Sequence, residues 1–190
     1  MKTHNRIAAV FFFIAGLTLV RKKRWLLYYP LFLAACLNRE TAGFMIPMFI
    51  LAQWGRGKPR SLTLGVLAQA VIWLGVKLVL TVLFVDNGGA RAFEYHVAGN
   101  LEFLSNLLAL SPGAVVKLAA FGLIWAAVPF GWKDIPAVEK RLLWLAPLMI
   151  GGMFVVGRFQ EVRVLAELIP VLTAPAIYGL RRIAESAYPR

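Results

Sequence analysis

The chain has 190 residues, of which 60% are hydrophobic and 16% are charged, yet its formal net charge is +12. An ordinary soluble domain is about 45–50% apolar and about 25% charged. This composition excludes a disordered chain, which would be polar, and the single cysteine excludes an intrachain disulfide scaffold. The remaining class is an integral membrane protein with basic loops.

Apolar segments follow one another along the whole chain, separated by short polar stretches. Their lengths and their lack of alternation favour helices over barrel strands. We therefore predict an all-α fold: a polytopic transmembrane helical bundle that forms one multi-pass domain over residues 1–190. The predicted segments are 7–20, 25–37, 42–54, 62–85, 113–132, 142–157 and 164–180.

The first segment is interpreted as a retained membrane segment. Residues 21–24 form a basic stop, and no small-residue cleavage site follows the apolar run as it would in a signal peptide. Fourteen residues are few for a spanning helix, which needs about 20. The abrupt start leaves two interpretations open: a whole protein, or the carboxyl-terminal part of a longer one.

Four basic clusters predict the topology, because Lys and Arg collect on the cytoplasmic side of a membrane. All four should therefore be cytoplasmic, and the long polar loop 86–106, which holds one basic residue, should be external. The clusters are residues 21–24; Arg56, Lys58 and Arg60; Lys133, Lys140 and Arg141; and Arg181 and Arg182.

Two hairpins of short helices follow from this topology. The run 25–54 starts and ends at cytoplasmic clusters, so its tip should lie at residues 38–41, and the run 142–180 should turn likewise at 158–163. An arm of about 13 residues is about 20 Å long, whereas the hydrocarbon core is about 30 Å thick. The first tip should therefore lie within the membrane, unless the bilayer thins there. A single tilted helix over 25–54 is the alternative.

Arg39 and Glu40, at the first tip, are the most informative pair. An ionisable residue at membrane depth costs several kcal/mol on insertion scales unless it is paired or hydrated. The candidate partners lie at the second tip: Glu161 for Arg39, and Arg158 or Arg163 for Glu40. One interpretation is a polar pocket for an anionic head group or a sugar phosphate, which suits the planar guanidinium. The other is a structural ion-pair cluster that joins the two hairpins.

Two further ionisable residues lie inside apolar segments. Glu167 follows Arg163 by four residues, so it is either part of a local ion pair or a base or hydroxyl acceptor in a site. Lys77 shares a helix face with Gln69 and Trp73, which predicts that this stripe faces protein or water rather than lipid. Snorkelling of Lys77 to the membrane surface is the alternative.

The remaining polar sequence carries weaker signals. Residues 86–106 are predicted to form a solvated loop, with an interfacial helix over 101–110 as the alternative. Its scattered acids and one histidine are a weak metal signal, and no Walker A, dinucleotide or metalloprotease motif occurs in the sequence, so we predict no metal and no cofactor. The basic loops lack an aromatic stacking platform, which argues against nucleic acid and favours the anionic lipid bilayer surface as partner.

Two short stretches resemble a known family. Leu-Asn-Arg-Glu-Thr-Ala at 37–42, before an arm with Pro47, and Gly-Arg-Phe-Gln-Glu-Val-Arg at 157–163, before Glu-Leu-Ile-Pro at 167–170, resemble the carboxyl-terminal membrane region of bacterial polytopic C-type glycosyltransferases. The resemblance implies a bacterial inner membrane protein related to enzymes that take sugars from polyprenyl-phosphate carriers. It also implies that Arg39, Arg158 or Arg163 lies near the phosphate of a lipid-linked sugar.

The chain departs from that family in one respect. Members carry a catalytic acid in the first large external loop near the amino terminus, and this chain has no such acid there. The resemblance therefore implies the carrier-lipid-binding part of such an enzyme, with the catalytic residues unassigned. The alternative is a non-enzymatic small transporter or membrane assembly subunit, because paired re-entrant hairpins with charged tips also suit transporters.

Overall fold

The described part of the chain is entirely helical. The computed structural model describes residues 4–56, 58–86, 95–156 and 167–188. No strand occurs in those ranges, which confirms the all-α prediction. The helices are α1 His4–Arg21, α2 Trp25–Asn38, a 3₁₀ helix Glu40–Phe44 (the tip helix), α3 Met45–Gln53, α4 Pro59–Leu83, α5 Val97–Leu108, α6 Pro112–Gly122, a second 3₁₀ helix Leu123–Gly131, α7 Ala137–Leu142, α8 Leu145–Val156 and α9 Ile169–Ala187.

The chain divides into two compact units, Met1–Ala92 and Phe93–Arg190. The first unit holds α1 to α4 and the second holds α5 to α9. The boundary falls inside the long polar stretch, where few apolar side chains are present to pack. One multi-pass domain over the whole chain stays a prediction.

The first predicted hairpin turns at Arg39. This residue has an extended backbone, with φ −154° and ψ 149°, so it ends α2 after Asn38. The chain then returns, because the Phe49 ring stacks on Tyr28 with centroids 5.9 Å apart and meets Trp25 edge-on at 5.7 Å. The alternative of a single tilted helix over 25–54 is therefore wrong.

Two basic clusters lie at one end of the first unit. The Gln53 side chain donates a hydrogen bond of 2.9 Å to the carbonyl of Val20, so α1 and α3 finish side by side. Both α2 and α4 begin at the same end, because each follows its predecessor after a short turn. We call this the basic end, since it holds residues 21–24 and the cluster of Arg56, Lys58 and Arg60.

Helix α4 is the one helix in the described ranges that is long and apolar enough to cross a membrane. Its 25 residues correspond to about 37 Å. Only 6% of its most apolar 18-residue window is buried inside the protein. Because the other apolar helices described are shorter, the polytopic bundle itself stays a prediction.

The hairpin covers only part of the length of α4. Phe49 packs against Gly65, and Gly43 in the tip helix packs against Trp73, where an added Cβ would lie 3.0 Å from the indole nitrogen. Gly43 is therefore level with Trp73. That position is about 21 Å from the start of α4 and about 15 Å short of its end.

In the second unit, α9 packs against the second 3₁₀ helix almost backbone to backbone. A Cβ at Gly179 would collide with the carbonyl of Ala127, and one at Gly131 would collide with the backbone of Gly179. Pro129 lies inside this 3₁₀ helix, and its missing N–H leaves one α-helical hydrogen bond unmade. The predicted segment 113–132 is α-helical only as far as Gly122 and continues as the 3₁₀ helix.

The predicted solvated loop 86–106 is wrong over its second half, which belongs to α5. The amide of His96 donates to the carbonyl of Val155 at 2.9 Å, and the Asn100 side-chain amide donates to the carbonyl of Phe154 at 2.7 Å. These bonds join α5 to the last turn of α8. Since α8 begins directly after α7, α5 lies at the opposite end of α8 from α7, about 17 Å away.

Candidate functional site

The seven residues that the sequence proposed for a site belong partly to the first unit, partly to the second and partly to residues outside the described ranges. Arg39, Glu40 and Lys77 lie in the first unit and Glu167 lies in the second, whereas Arg158, Glu161 and Arg163 lie outside the described residues. The ion pairs proposed between the two tips therefore stay predictions. The part of the site that the structure brings together is the tip of the first hairpin with α4.

The backbone at the tip fixes where the polar residues lie. Arg39 is the C-cap of α2, and its amide donates to the carbonyl of Ala35 at 3.0 Å. Its own carbonyl accepts a 3.2 Å hydrogen bond from the amide of Ala42. A cation at a helix carboxyl terminus is favoured by the helix dipole. Glu40 then begins the tip helix.

A small crevice, the tip crevice, lies between the hairpin tip and α1. Its volume is about 10 Å³, which admits about one water molecule. Three polar residues line it beside apolar ones: Ala9, Phe12, Phe13, Ala35, Asn38, Arg39, Thr41, Ala42 and Met45. The crevice is thus amphipathic and too small to enclose a sugar phosphate.

Asn38 adds a hydrogen-bond donor to the tip crevice. Its side-chain nitrogen is buried and has no hydrogen-bond partner among the described residues. A buried donor without a partner costs about 1–3 kcal/mol, so such a group needs an explanation. A water molecule or a ligand oxygen in the crevice would satisfy it. Sequence reasoning named residues 38–41 as the tip but did not single out this amide.

Lys77 lies on the side of α4 that faces the hairpin. Trp73, one turn earlier on the same face, packs on Gly43 of the tip helix. Lys77 and Trp73 are half-buried, whereas Leu74 and Leu78 beside them are 58% and 67% exposed. The stripe of Gln69, Trp73 and Lys77 therefore lies beside the hairpin, and its exclusion from lipid stays a prediction. It brings a second cation to the side of the tip, about 6 Å further along α4 than Trp73.

A buried hydrogen bond fixes α2 against α4 below the tip. The Tyr28 hydroxyl donates to Gln69 Oε1 at 2.7 Å, and Gln69 Nε2 donates to the carbonyl of Gly65 at 3.1 Å. Both Tyr28 and Gln69 are 0% exposed. The pair therefore sets the height of the tip along α4. Of these two residues, the sequence pointed only to Gln69, because it is a polar residue inside an apolar helix.

Glu167 is buried in the second unit with 1% of its surface exposed. It lies two residues before Ile169, the first residue of α9. The positive end of the helix dipole favours a carboxylate there. Its proposed neighbour Arg163 lies outside the described residues, so the choice between a local ion pair and a site residue stays open.

A larger crevice lies at the surface of the second unit, and we call it the arginine crevice. Its volume is about 240 Å³ and it is lined by Asp134, Tyr178, Arg181, Arg182 and Glu185. Two basic clusters of the sequence therefore lie at one end of this unit. Sequence reasoning assigned these arginines to topology alone. The spacing of Arg181 and Glu185, four residues apart on one helix, was the available signal.

In the described ranges, no group of three or more His, Cys, Asp and Glu side chains lies close enough to hold a metal ion.

The glycosyltransferase resemblance rests on residues 37–42, which the structure describes, and on 157–163, which it does not. It therefore stays a prediction, and the geometry of the tip carries the functional argument. Comparison with known protein families, with curated proteins and with solved structures finds no match to this chain.

Proposed function

We propose that this protein is a multi-pass integral membrane protein whose hairpin tip binds the phosphate of a lipid-linked sugar. The observation that supports the proposal best is the depth of the tip. Gly43 in the tip helix is level with Trp73, about 21 Å along a helix about 37 Å long. If α4 crosses a hydrocarbon core of about 30 Å, the tip and Arg39 lie inside that core.

A charged residue such as Arg39 is costly at that depth in a membrane. An arginine inside a membrane costs several kcal/mol on insertion scales, and such residues mark substrate pathways, ion pathways or binding sites. The basic end of the first unit supplies the orientation, because residues 21–24 and 56–60 would lie together in the cytoplasm. The tip would then point toward the external leaflet.

The chemistry at the tip suits an anion. Arg39 lines the tip crevice, and the Asn38 amide beside it supplies an unused donor. Lys77 adds positive charge from α4, one turn after Trp73. A guanidinium donates two parallel hydrogen bonds to a phosphate. Since the tip crevice holds only about one water, the phosphate would bind at its mouth, with the sugar outside. The proposal concerns binding of the carrier lipid, with no catalytic residue assigned.

The test is binding of a polyprenyl phosphate to the purified full chain in nanodiscs. Arg39→Ala should weaken binding at least tenfold, which corresponds to about 1.4 kcal/mol. Arg39→Lys should recover only part of the loss, because lysine lacks the bidentate fork. Arg60→Ala is the matched control, since Arg60 is an exposed cation at the basic end. Equal binding by wild type and Arg39→Ala would reject the proposal.

A small transporter or assembly subunit is the second candidate. The small volume of the tip crevice favours it, because a tip packed this closely has little space for a head group. Single cysteines at Thr41 in a Cys36→Ser background would separate the two. Labelling of position 41 by water-soluble reagents from both sides of the membrane supports transport, whereas labelling from the external side alone supports the lipid site.

A further inference from the structure

The arginine crevice holds charges of both signs. Arg181 Nε donates to Glu185 Oε1 at 2.8 Å, and a terminal nitrogen of Arg182 lies 3.8 Å from Glu185 Oε2. The second distance is too long for a hydrogen bond. Because each guanidinium has five N–H donors, both arginines keep most of their donors available. Glu185 thus fixes the two arginines in place without consuming their capacity to bind an anion.

Asp134 contributes a second carboxylate from a different element. It lies in the turn after the second 3₁₀ helix, where its amide donates to the carbonyl of Gly131 at 2.9 Å. Its carboxylate lines the crevice opposite α9 and forms no ion pair with a described residue. The crevice therefore presents an acceptor for a cation on one wall and donors for an anion on the other.

Apolar side chains border the crevice on the helix turns that lead into it. The exposed large hydrophobic residues there are Phe130, Trp132, Ile177 and Leu180. Lys140 lies over the Trp132 ring, 5.4 Å from its centroid. Tryptophan beside lysine is typical of the boundary between hydrocarbon and head groups. The crevice thus lies where apolar surface meets charged surface.

The size of the crevice limits its ligand. Its volume of about 240 Å³ is below the range of about 300–1,000 Å³ for pockets that enclose a drug-sized ligand. It suits a small head group whose hydrophobic chains remain outside. A dipolar head group matches the two walls better than a simple anion, because Asp134 and Glu185 would repel an anion that brings no cation of its own.

We propose that the arginine crevice binds the phosphoethanolamine head group of a zwitterionic phospholipid. Asp134 accepts hydrogen bonds from the primary ammonium, Arg182 and Arg181 donate to the phosphate, and the acyl chains lie along Ile177 and Leu180. The inference rests on the proposed membrane insertion but does not depend on the lipid-linked sugar. It assigns these arginines a ligand in addition to their role in topology.

The experiment measures lipids retained by the purified full chain. Nanodiscs contain equal parts of phosphatidylethanolamine, phosphatidylcholine and phosphatidylglycerol, and native mass spectrometry counts the lipids bound. Phosphatidylethanolamine should be retained most strongly by wild type, because its ammonium donates hydrogen bonds that a quaternary ammonium cannot. Asp134→Asn should reduce that preference about two- to fivefold, the range of an exposed ion pair. Arg182→Gln should weaken retention of all three lipids.

Two controls make the outcomes separable. Arg60→Gln removes an exposed cation at the basic end of the first unit and should change nothing. Asp134→Ser is a second variant of the same carboxylate in the crevice, in case Asp134→Asn fails to fold by circular dichroism. An unchanged preference in both crevice variants, or stronger retention of phosphatidylglycerol by wild type, would overturn the inference.

Failure of the proposed function would look different. If Arg39→Ala and wild type bind polyprenyl phosphate equally while Asp134→Asn loses the ethanolamine preference, only the lipid-linked sugar proposal fails. If alkaline carbonate extracts the chain from membranes, membrane insertion is absent and the inference about the arginine crevice falls with it.

Discussion

At the scale of single residues, buried polar groups on apolar helices decide the register of the first unit. Tyr28 and Gln69 are fully buried and bonded to each other across α2 and α4. In a membrane, apolar helix faces contact lipid as readily as protein, so hydrophobicity alone does not fix which faces meet. A hydrogen bond between two helices does fix their mutual orientation. The position of the hairpin along α4 therefore depends on the Tyr28 hydroxyl.

Tyr28→Phe tests this dependence. The substitution removes the hydroxyl and leaves Gln69 Oε1 buried without its donor, so we expect a loss of about 0.6–1.7 kcal/mol in unfolding free energy. The measurement is reversible unfolding in mixed micelles, followed by circular dichroism. Tyr95→Phe is the matched control, because Tyr95 is 74% exposed. Equal stability of the two variants would show that the bond contributes nothing.

At the scale of elements, close backbone contact joins α9 to the second 3₁₀ helix. Small residues allow helices to approach closely in membranes, where packing replaces the hydrophobic effect as the driving force. Gly179 makes the closest contact, against Ala127. Sequence patterns could not predict this pairing, because a glycine in an apolar helix does not indicate which helix it will contact.

Gly179→Ala should force α9 away from its neighbour. Inserting a methyl group into a packed contact costs about 1–3 kcal/mol. Thermal unfolding in detergent would measure the loss. Gly151→Ala is the control, because a Cβ there has open space around it, and alanine is favoured over glycine in a helix by about 0.5–1 kcal/mol. A Gly179→Ala variant as stable as Gly151→Ala would contradict the packing described.

Helix α5 is a second element whose environment can be tested. Its exposed apolar residues Val97, Leu101, Leu104 and Leu108 form one stripe, while Asn100 faces α8 and Glu102 faces away from both. Three faces of this kind are typical of a helix that lies in the membrane surface. The sequence offered this helix only as an alternative, because the loop before it is polar.

Spin labels on α5 should report two environments. A label at Leu104→Cys should be relaxed mainly by oxygen, which partitions into lipid, and a label at Glu102→Cys mainly by a water-soluble nickel complex. Both labels would be introduced in a Cys36→Ser background and measured in liposomes. Equal relaxation by nickel at both positions would mean that α5 lies in water.

At the scale of the whole molecule, the charge pattern predicts more of the fold than any other feature of the sequence. The basic clusters predicted that the run 25–54 must reverse, and the break at Arg39 and the return of Phe49 to Tyr28 follow that prediction. The clusters could not predict the arginine crevice, because its two walls come from residues about fifty positions apart. The length of the apolar run 113–132 could not distinguish an α-helix from a 3₁₀ helix either, because the same apolar residues are compatible with both.

Single cysteines at Lys58, Lys133 and Tyr95 test the sidedness. In a Cys36→Ser background, the first two should react with an impermeant reagent only when the cytoplasmic face is accessible, because both belong to basic clusters. Position 95 should react from the opposite face. Labelling of positions 58 and 95 from one side would reject the topology.

The unequal lengths of α4 and its hairpin have a consequence for how a ligand could arrive. Beyond Trp73, where Gly43 packs, the last ten residues of α4 rise about 15 Å, and most of their large apolar side chains face the space around the helix. If the chain crosses the membrane as proposed, that space belongs to the acyl chains of one leaflet. A lipid could then reach Arg39 by lateral diffusion, tilting its head group down along α4, and would never need to leave the bilayer for water. Access would be governed by bilayer thickness, so the same site would be open in a thin membrane and out of reach in a thick one.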